Sequence, residues 1–289
     1  MISKCIIRTF NWQECQQGRL PKLNEPWDNA SLIANYTSNS QRARVVSEAW
    51  VLRNGYCLAC ESDNLLPTVA NTRTKDFVCP QCSHGYELKS KRGAFGTRIA
   101  DGAFSAMTAT IREGRTPSFL LLGYSPTWDV QELTAVHHSL ITQDCIEERR
   151  PLGPMARRAG WIGCNIILPK IALEGRIPLV TAGNAHARGA SRMAFARLQF
   201  LSKMSAKRRG WAASLLNLLR QLPGDRFSLS DAYIFEAHLA KLYPENNNVR
   251  PKIRQQLQVL RDTGIIQFEA RGLYKFVKGE QPVDSSSMV

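Results

Sequence analysis

Three residues in the first third of the chain have the types and spacing to hold a hard cation: Asp76, then Glu87 and Lys89 eleven and thirteen positions on. Glu87 and Lys89 are two apart in an extended run, so in a strand they project from one face while Leu88 turns into the core. If the chain doubles back in the interval, Asp76 returns close to Glu87. Two facing carboxylates with a lysine beside them suit Mg²⁺, which takes oxygen ligands. Bound Mg²⁺ lowers the pKa of a water and neutralises charge on a phosphate, and the ammonium can orient either one. A surface hairpin of ordinary charges would carry the same letters, so the pattern depends on its surroundings.

Those surroundings read as a metal knuckle. Cys57-Leu-Ala-Cys60 and Cys79-Pro-Gln-Cys82 are separated by eighteen residues, the arrangement of a four-thiolate tetrahedral Zn²⁺ site. Four thiolates leave no open coordination position, which makes this zinc structural and leaves chemistry to other groups. Asp76 lies three residues before Cys79 and Glu87 five after Cys82, so the second knuckle sits at the bend that would bring the carboxylates together. The chain has 8 cysteines, and residues 1–21 do not make a signal peptide. A cytoplasmic protein that uses cysteine for metal ligation is expected.

The elements that must position these groups follow from periodicity. A helix is predicted from a Ser40 cap through Val45, Val46, Ala49, Trp50 and Leu52, closed by Asn54-Gly55 with Gly55 in the left-handed conformation. Glu48 on this helix could reach a metal in a neighbouring site, although such a glutamate is more often a surface charge. The pattern predicts a helix over 97–111, a buried strand over 118–124 and a further strand over 130–136, together an α/β domain. Residues 1–35 read as an N-terminal extension with no assigned role.

Net charge is +14, with 38 basic against 24 acidic residues, and both the first 202 residues and the remainder are basic. No apolar run reaches the ~20 residues of a membrane helix. The balance therefore points to a polyanion partner, nucleic acid before membrane. Lys89-Ser-Lys91-Arg92 adds positive charge where a phosphodiester would lie. In the loop 149–164, Arg157 and Arg158 suit phosphates. Trp161 stands between Gly160 and Gly163, and local chemistry alone slightly favours a loop anchor over a presented ring.

The C-terminal part reads as a winged helix. Helices are expected over 211–222, from a Ser230 cap to about Tyr243, and over 249–262, followed by a two-stranded wing around Arg271-Gly272. In helix-turn-helix geometry the third helix enters the major groove, and its outer face carries Lys252, Arg254, Gln255 and Gln258. Glutamine commonly reads adenine there.

Several of these motifs together resemble the DpnI family, also called Dam-replacing proteins. They are the Asn39-Ser40-Gln41 helix, the four-cysteine site enclosing Asp76, Glu87-Leu-Lys89-Ser-Lys91, the stretch 156–165 (ARRAGWIGCN) and the stretch 253–258 (IRQQLQ). The likeness runs from about Tyr36 to Phe276. It implies a PD-(D/E)xK nuclease domain (36–204) with a Cys₄ zinc site, joined to a winged-helix domain (205–289). The activity implied is type II restriction of double-stranded DNA at GATC carrying adenine methylated on its exocyclic amine. Asp76, Glu87 and Lys89 match the catalytic positions, with Mg²⁺ on the two carboxylates, and the four cysteines match the zinc ligands. Thr74-Lys75-Asp76 departs from the wider nuclease pattern in having no proline before the aspartate.

A methyl on the adenine amine replaces the hydrogen that a glutamine contact uses, so its reader should offer an apolar or aromatic surface. With the resemblance, this brings a methyl-reading role for Trp161 level with the anchor role. The rival expectation is a zinc-containing winged-helix transcription regulator without catalysis, which has no need of the Asp76/Glu87/Lys89 face.

Overall fold

The computed structural model describes residues 33–68 and 75–277. Most of the expected extension, residues 69–74 with Thr74 and the last twelve residues lie outside the described residues. Helix α1 (Asn39–Asn54) begins after Ser38, whose side chain makes no cap bond; the Ser38 and Ser40 hydroxyls bond each other at 2.8 Å. The expected Ser40 cap is therefore not made. Gly55 is extended (φ −71°), which corrects the left-handed expectation, and steric room explains the residue. A Cβ there would lie 2.5 Å from the Val51 carbonyl oxygen that its own N–H bonds.

Strands β1 (Leu66–Pro67), β2 (Phe77–Val78) and β3 (Gly85–Arg92) form one edge of the main sheet. After them come β4 (Arg98–Ala103) and helix α2 (Phe104–Arg112), where a single helix over 97–111 is expected from the apolar spacing. Ile99 and its neighbours are strand because they pair with a later strand, a long-range contact that local periodicity cannot report. Strands β5 (Ser118–Tyr124) and β6 (Val130–Val136) match their expected spans, and β5 is buried along nearly its whole length. Next are β7 (Ile146–Glu148), β8 (Gly163–Ile167), β9 (Arg176–Thr181) and β10 (Asn184–Ala185). The main sheet has seven strands in the order β1-β2-β3-β5-β6-β9-β10. Its β3–β5 pair is parallel, as the crossover through α2 requires. Strands β4, β8 and β7 make a separate antiparallel sheet.

Helices α3 (Arg188–Ala196) and α4 (Gln199–Ser202) lead into α5 (Ala206–Leu219), which starts five residues before the expected position. Every residue of α5 from Trp211 to Leu219 is buried, polar ones included. A helix apolar all round must be covered all round. One side meets the 3₁₀ turn at 138–140: Asn217 donates to the Leu140 carbonyl (2.9 Å) and accepts from the Ala172 N–H (2.9 Å). The other side meets the C-terminal elements, where Ser214 bonds the Tyr243 hydroxyl at 3.0 Å. A single hydrophobic core therefore runs from Ile99 through α5 to Phe276.

The C-terminal elements are β11 (Arg226–Ser228), α6 (Leu229–Tyr233), α7 (Glu236–Leu242), α8 (Val249–Asp262), β12 (Ile266–Ala270) and β13 (Leu273–Phe276). The expected second helix is two short ones, and Ser228, not Ser230, caps the first in a capping box with Asp231. Helix α8 has the expected bounds; Gly264 (φ +73°) and Gly272 (φ +74°) supply the left-handed turns after it and between the wing strands.

Candidate active site and metal centre

The four cysteines converge. Their sulfurs all lie within 4.8 Å of one another, with Cys57–Cys82 at 3.6 Å and Cys60–Cys79 at 3.5 Å. Four thiolates ~2.3 Å from a tetrahedral centre would stand about 3.8 Å apart, whereas a disulfide needs about 2.05 Å. The set fits a metal ion. Each knuckle is closed by its own backbone, Cys57 N–H to Ser62 O (2.9 Å) and Cys79 N–H to His84 O (2.9 Å). Although burial opposes it, the N–H groups of Cys82 and Gln81, at 3.5 and 3.4 Å from the Cys79 sulfur, help bring that thiol down to about 6. Arg192 from α3 clamps the first knuckle, donating to the Cys57 and Ser62 carbonyls at 3.0 Å each and pairing with Glu61 and Asp63.

Between the knuckle and the sheet the chain doubles back as the spacing anticipates. Phe77 pairs with Tyr86, which sets Asp76 opposite Glu87. The Asp76 N–H donates to the Tyr86 carbonyl (2.8 Å), and its Oδ2 accepts from the Leu88 N–H (2.8 Å), so this carboxylate is fixed by strand backbone on both counts. Alternation along β3 divides the labour: Tyr86 turns inward, its hydroxyl accepting from Leu58 N–H (2.8 Å) and lying 3.3 Å from the Cys57 sulfur, while Glu87 and Lys89 share the other face. Lys89 Nζ sits 2.6 Å from Glu87 Oε1.

Sequence reasoning missed a third carboxylate at this point. Asp101 on β4 lies 2.5 Å from Lys89 Nζ, with its side chain only 5% exposed. Nothing in Ala100-Asp101-Gly102 signals it; the contact exists because β4 belongs to the second sheet and not to a helix. Burial first, then the neighbouring Asp101 and Asp76 charges, raise Glu87 to about 7 against the opposing pull of Lys89. Lys89 is raised as well: burial alone would lower it, and Glu87 with Asp101 outweigh that. Glu48 of α1 faces the same cluster, raised chiefly by burial and also by Asp76, and is paired with Arg44 at 2.6 Å. A group of carboxylates in which burial, and then repulsion from its neighbours, raises one member is a donor set suited to a hard divalent cation.

The loop 149–162 leads into β8. Trp161 is half-buried, with Arg158 stacked on its ring at 4.7 Å and Arg157 exposed beside it. Gly163 is glycine for packing: a Cβ there would come within 2.8 Å of the indole. Trp161 is thus packed against Gly163 and Arg158 while remaining partly exposed. On α8, Arg254, Gln255 and Gln258 are exposed and Lys252 partly so, while Ile253, Leu257 and Leu260 face the core. Lys252 donates to Gln255 (2.7 Å) and Arg254 to the Tyr233 hydroxyl (2.6 Å), which preorders part of this polar face.

Residues 26–204 match the Dam-replacing family, and residues 207–276 match the Dam-replacing HTH domain. The chain belongs to the Dam-replacing family. The family match begins at Pro26, ten residues ahead of Tyr36, and so takes in the last part of the expected extension. Membership implies a methyl-directed restriction function for a nuclease, with DNA as partner of the helix-turn-helix domain. Among the described residues, no helix is long and apolar enough to cross a membrane.

Proposed function

We propose that this Dam-replacing protein is a Mg²⁺-dependent type II endonuclease that cuts double-stranded DNA at GATC carrying methylated adenine. Residues 36–204 would form a PD-(D/E)xK nuclease domain and 205–289 a winged-helix domain, working on DNA in the cytoplasm. The observation that carries the reading is the bracing of Asp76 by Leu88 N–H (2.8 Å), opposite Glu87 and beside Lys89. Asp76 and Glu87 would hold Mg²⁺, which when bound supplies an acidified water and charge neutralisation at the phosphate. Lys89 then orients the attacking water or a phosphate oxygen. The four cysteines bind Zn²⁺ that sets the geometry of the hairpin and takes no part in the reaction. Arg157 and Arg158 bear on phosphates, Trp161 packs on the adenine methyl, and Lys252, Arg254, Gln255 and Gln258 read or grip the duplex from α8.

The deciding test is incubation with plasmid from adenine-methylating and non-methylating hosts, with Mg²⁺ and with chelator. Cleavage of methylated plasmid alone, and only with Mg²⁺, is expected. Binding without cleavage under every condition would replace the nuclease reading with that of a zinc-containing transcription regulator.

A further inference from the structure

Lys89 is held from two sides, and the two sides differ in what they connect to. Glu87 is its neighbour on β3, at 2.6 Å. Asp101, at 2.5 Å, belongs to β4, the central partner of which is β8. In that pair Asp101 stands opposite Cys164 and Ala103 opposite Gly163, with a register shift between them at Gly102. The Cys164 thiol donates to the Gly102 carbonyl (3.5 Å), and the Phe104 N–H donates to the Ile162 carbonyl (3.1 Å). Gly163, bonded in between, carries the Trp161 ring against its Cα. A chain of direct contacts thus runs from Trp161 through Gly163 and Cys164 to Gly102, Asp101 and the Lys89 ammonium. A Glu87 oxygen that turns to a cation leaves Lys89 with Asp101 as its remaining carboxylate anchor.

We infer that Asp101 is a positioning residue that holds Lys89 on the strand pair shared with Trp161, so that the setting of the Trp161 loop is passed to the reacting end of the lysine. The inference rests on the nuclease reading above. It makes methylation act on the cleavage step and not only on binding. Misplacing a group by about 1 Å can cost ~100-fold in rate, and the ladder between the two side chains is interrupted by an irregularity at Gly102.

The test uses the full chain, a GATC duplex with and without methyladenine, single-turnover cleavage at saturating protein with Mg²⁺, and binding measured with Ca²⁺ in its place. Asp101→Asn should slow cleavage of the methylated duplex by about 10- to 100-fold and shrink the methylated-to-unmethylated rate ratio by a similar factor. Its zinc content and its affinity ratio for the two duplexes should stay within about twofold of wild type. Asp101→Glu, which keeps the charge, should recover part of the rate and serves as the second variant if Asn impairs folding. A rate within twofold of wild type for Asp101→Asn would overturn the inference, as would an equal slowing on both duplexes, which marks a role in Lys89 alone. A wild-type protein that binds the methylated duplex and cuts neither would overturn the nuclease reading itself, and with it this inference.

Discussion

The thiol cluster and the carboxylate cluster occupy the same hairpin and are built on opposite plans. The sulfurs come from two C-x-x-C turns, each closed by its own backbone and the first also clamped by Arg192, which bring four ligands within 4.8 Å. The carboxylates are assembled from separate places, Asp76 before β2, Glu87 on β3, Asp101 on β4 and Glu48 on α1. The thiol site is local, drawn from two short motifs; the acid site is buried and drawn from distant segments of the chain.

The harshest way to break the comparison is Cys79→Ser. Removing one of four thiolates should release the zinc and unfold the hairpin, since structural zinc binding is worth about 10–16 kcal/mol. Metal analysis and a thermal melt would show both losses; a stable, active, zinc-free variant would end the claim of a structural role. Asp76→Ala attacks the other plan. It should cost about 1,000-fold or more in cleavage, ~4 kcal/mol, while zinc content and DNA binding persist. Concurrent loss of zinc would mean the two sites are one.

How legible each site was follows from the same contrast. Cys57, Cys60, Cys79 and Cys82 are a motif in sequence because their geometry is local, and Asp76 opposite Glu87 could be read once the knuckle supplied the turn. Asp101 could not, because its contact with Lys89 depends on β4 pairing with a strand some sixty residues away, and the apolar spacing of Ile99 and Phe104 suits a helix equally well. The same blindness affects α5, whose start and all-round burial are set by what lies on both sides of it.

An acid titration separates the sites more gently. Behind the second knuckle, His84 Nε2 bonds the Ser118 hydroxyl (2.9 Å), which also meets His138 Nδ1 (3.3 Å), and His137 stacks on His138. Burial, then nearby imidazoles and Arg209, holds His137 well below its ordinary value and His138 down at about 3. These imidazoles are neutral when folded and free to protonate when unfolded, so the unfolded chain binds more protons below about pH 6.5. Their contribution is complete above that pH and is lost on acidification towards about 3. At pH 5 His138 alone should cost about 2 kcal/mol, with His137 acting in the same direction, a loss that urea titration at pH 7 and 5 would detect. Glu87, raised to about 7, acts in the opposite sense over the same interval, so the comparison is made in a Glu87→Gln background, where equal midpoints at the two pH values would mean that the imidazoles are not held neutral. The smallest expected effect belongs to Trp161, the methyl reader under the proposed function: Trp161→Ala should reduce the preference for methylated over unmethylated duplex by about tenfold, near 1.4 kcal/mol, with zinc and fold retained. Unchanged preference in a binding assay would return Trp161 to the role of a loop anchor.

Helix α5 carries a consequence for heredity. Its flanks are divided between the turn at 138–140 and the C-terminal elements, so neither half keeps a sealed interior when the chain is parted at residue 204. A recombination event that exchanged the helix-turn-helix domain at that point would transplant a helix whose inner lining, Asn217 to Leu140 and Ala172, was cut to fit another partner. A crossover after Leu219 would leave the opposite flank unmatched, because Ser214 and Trp211 meet Tyr243 there, so working hybrids are expected only where both flanks of α5 come from one parent.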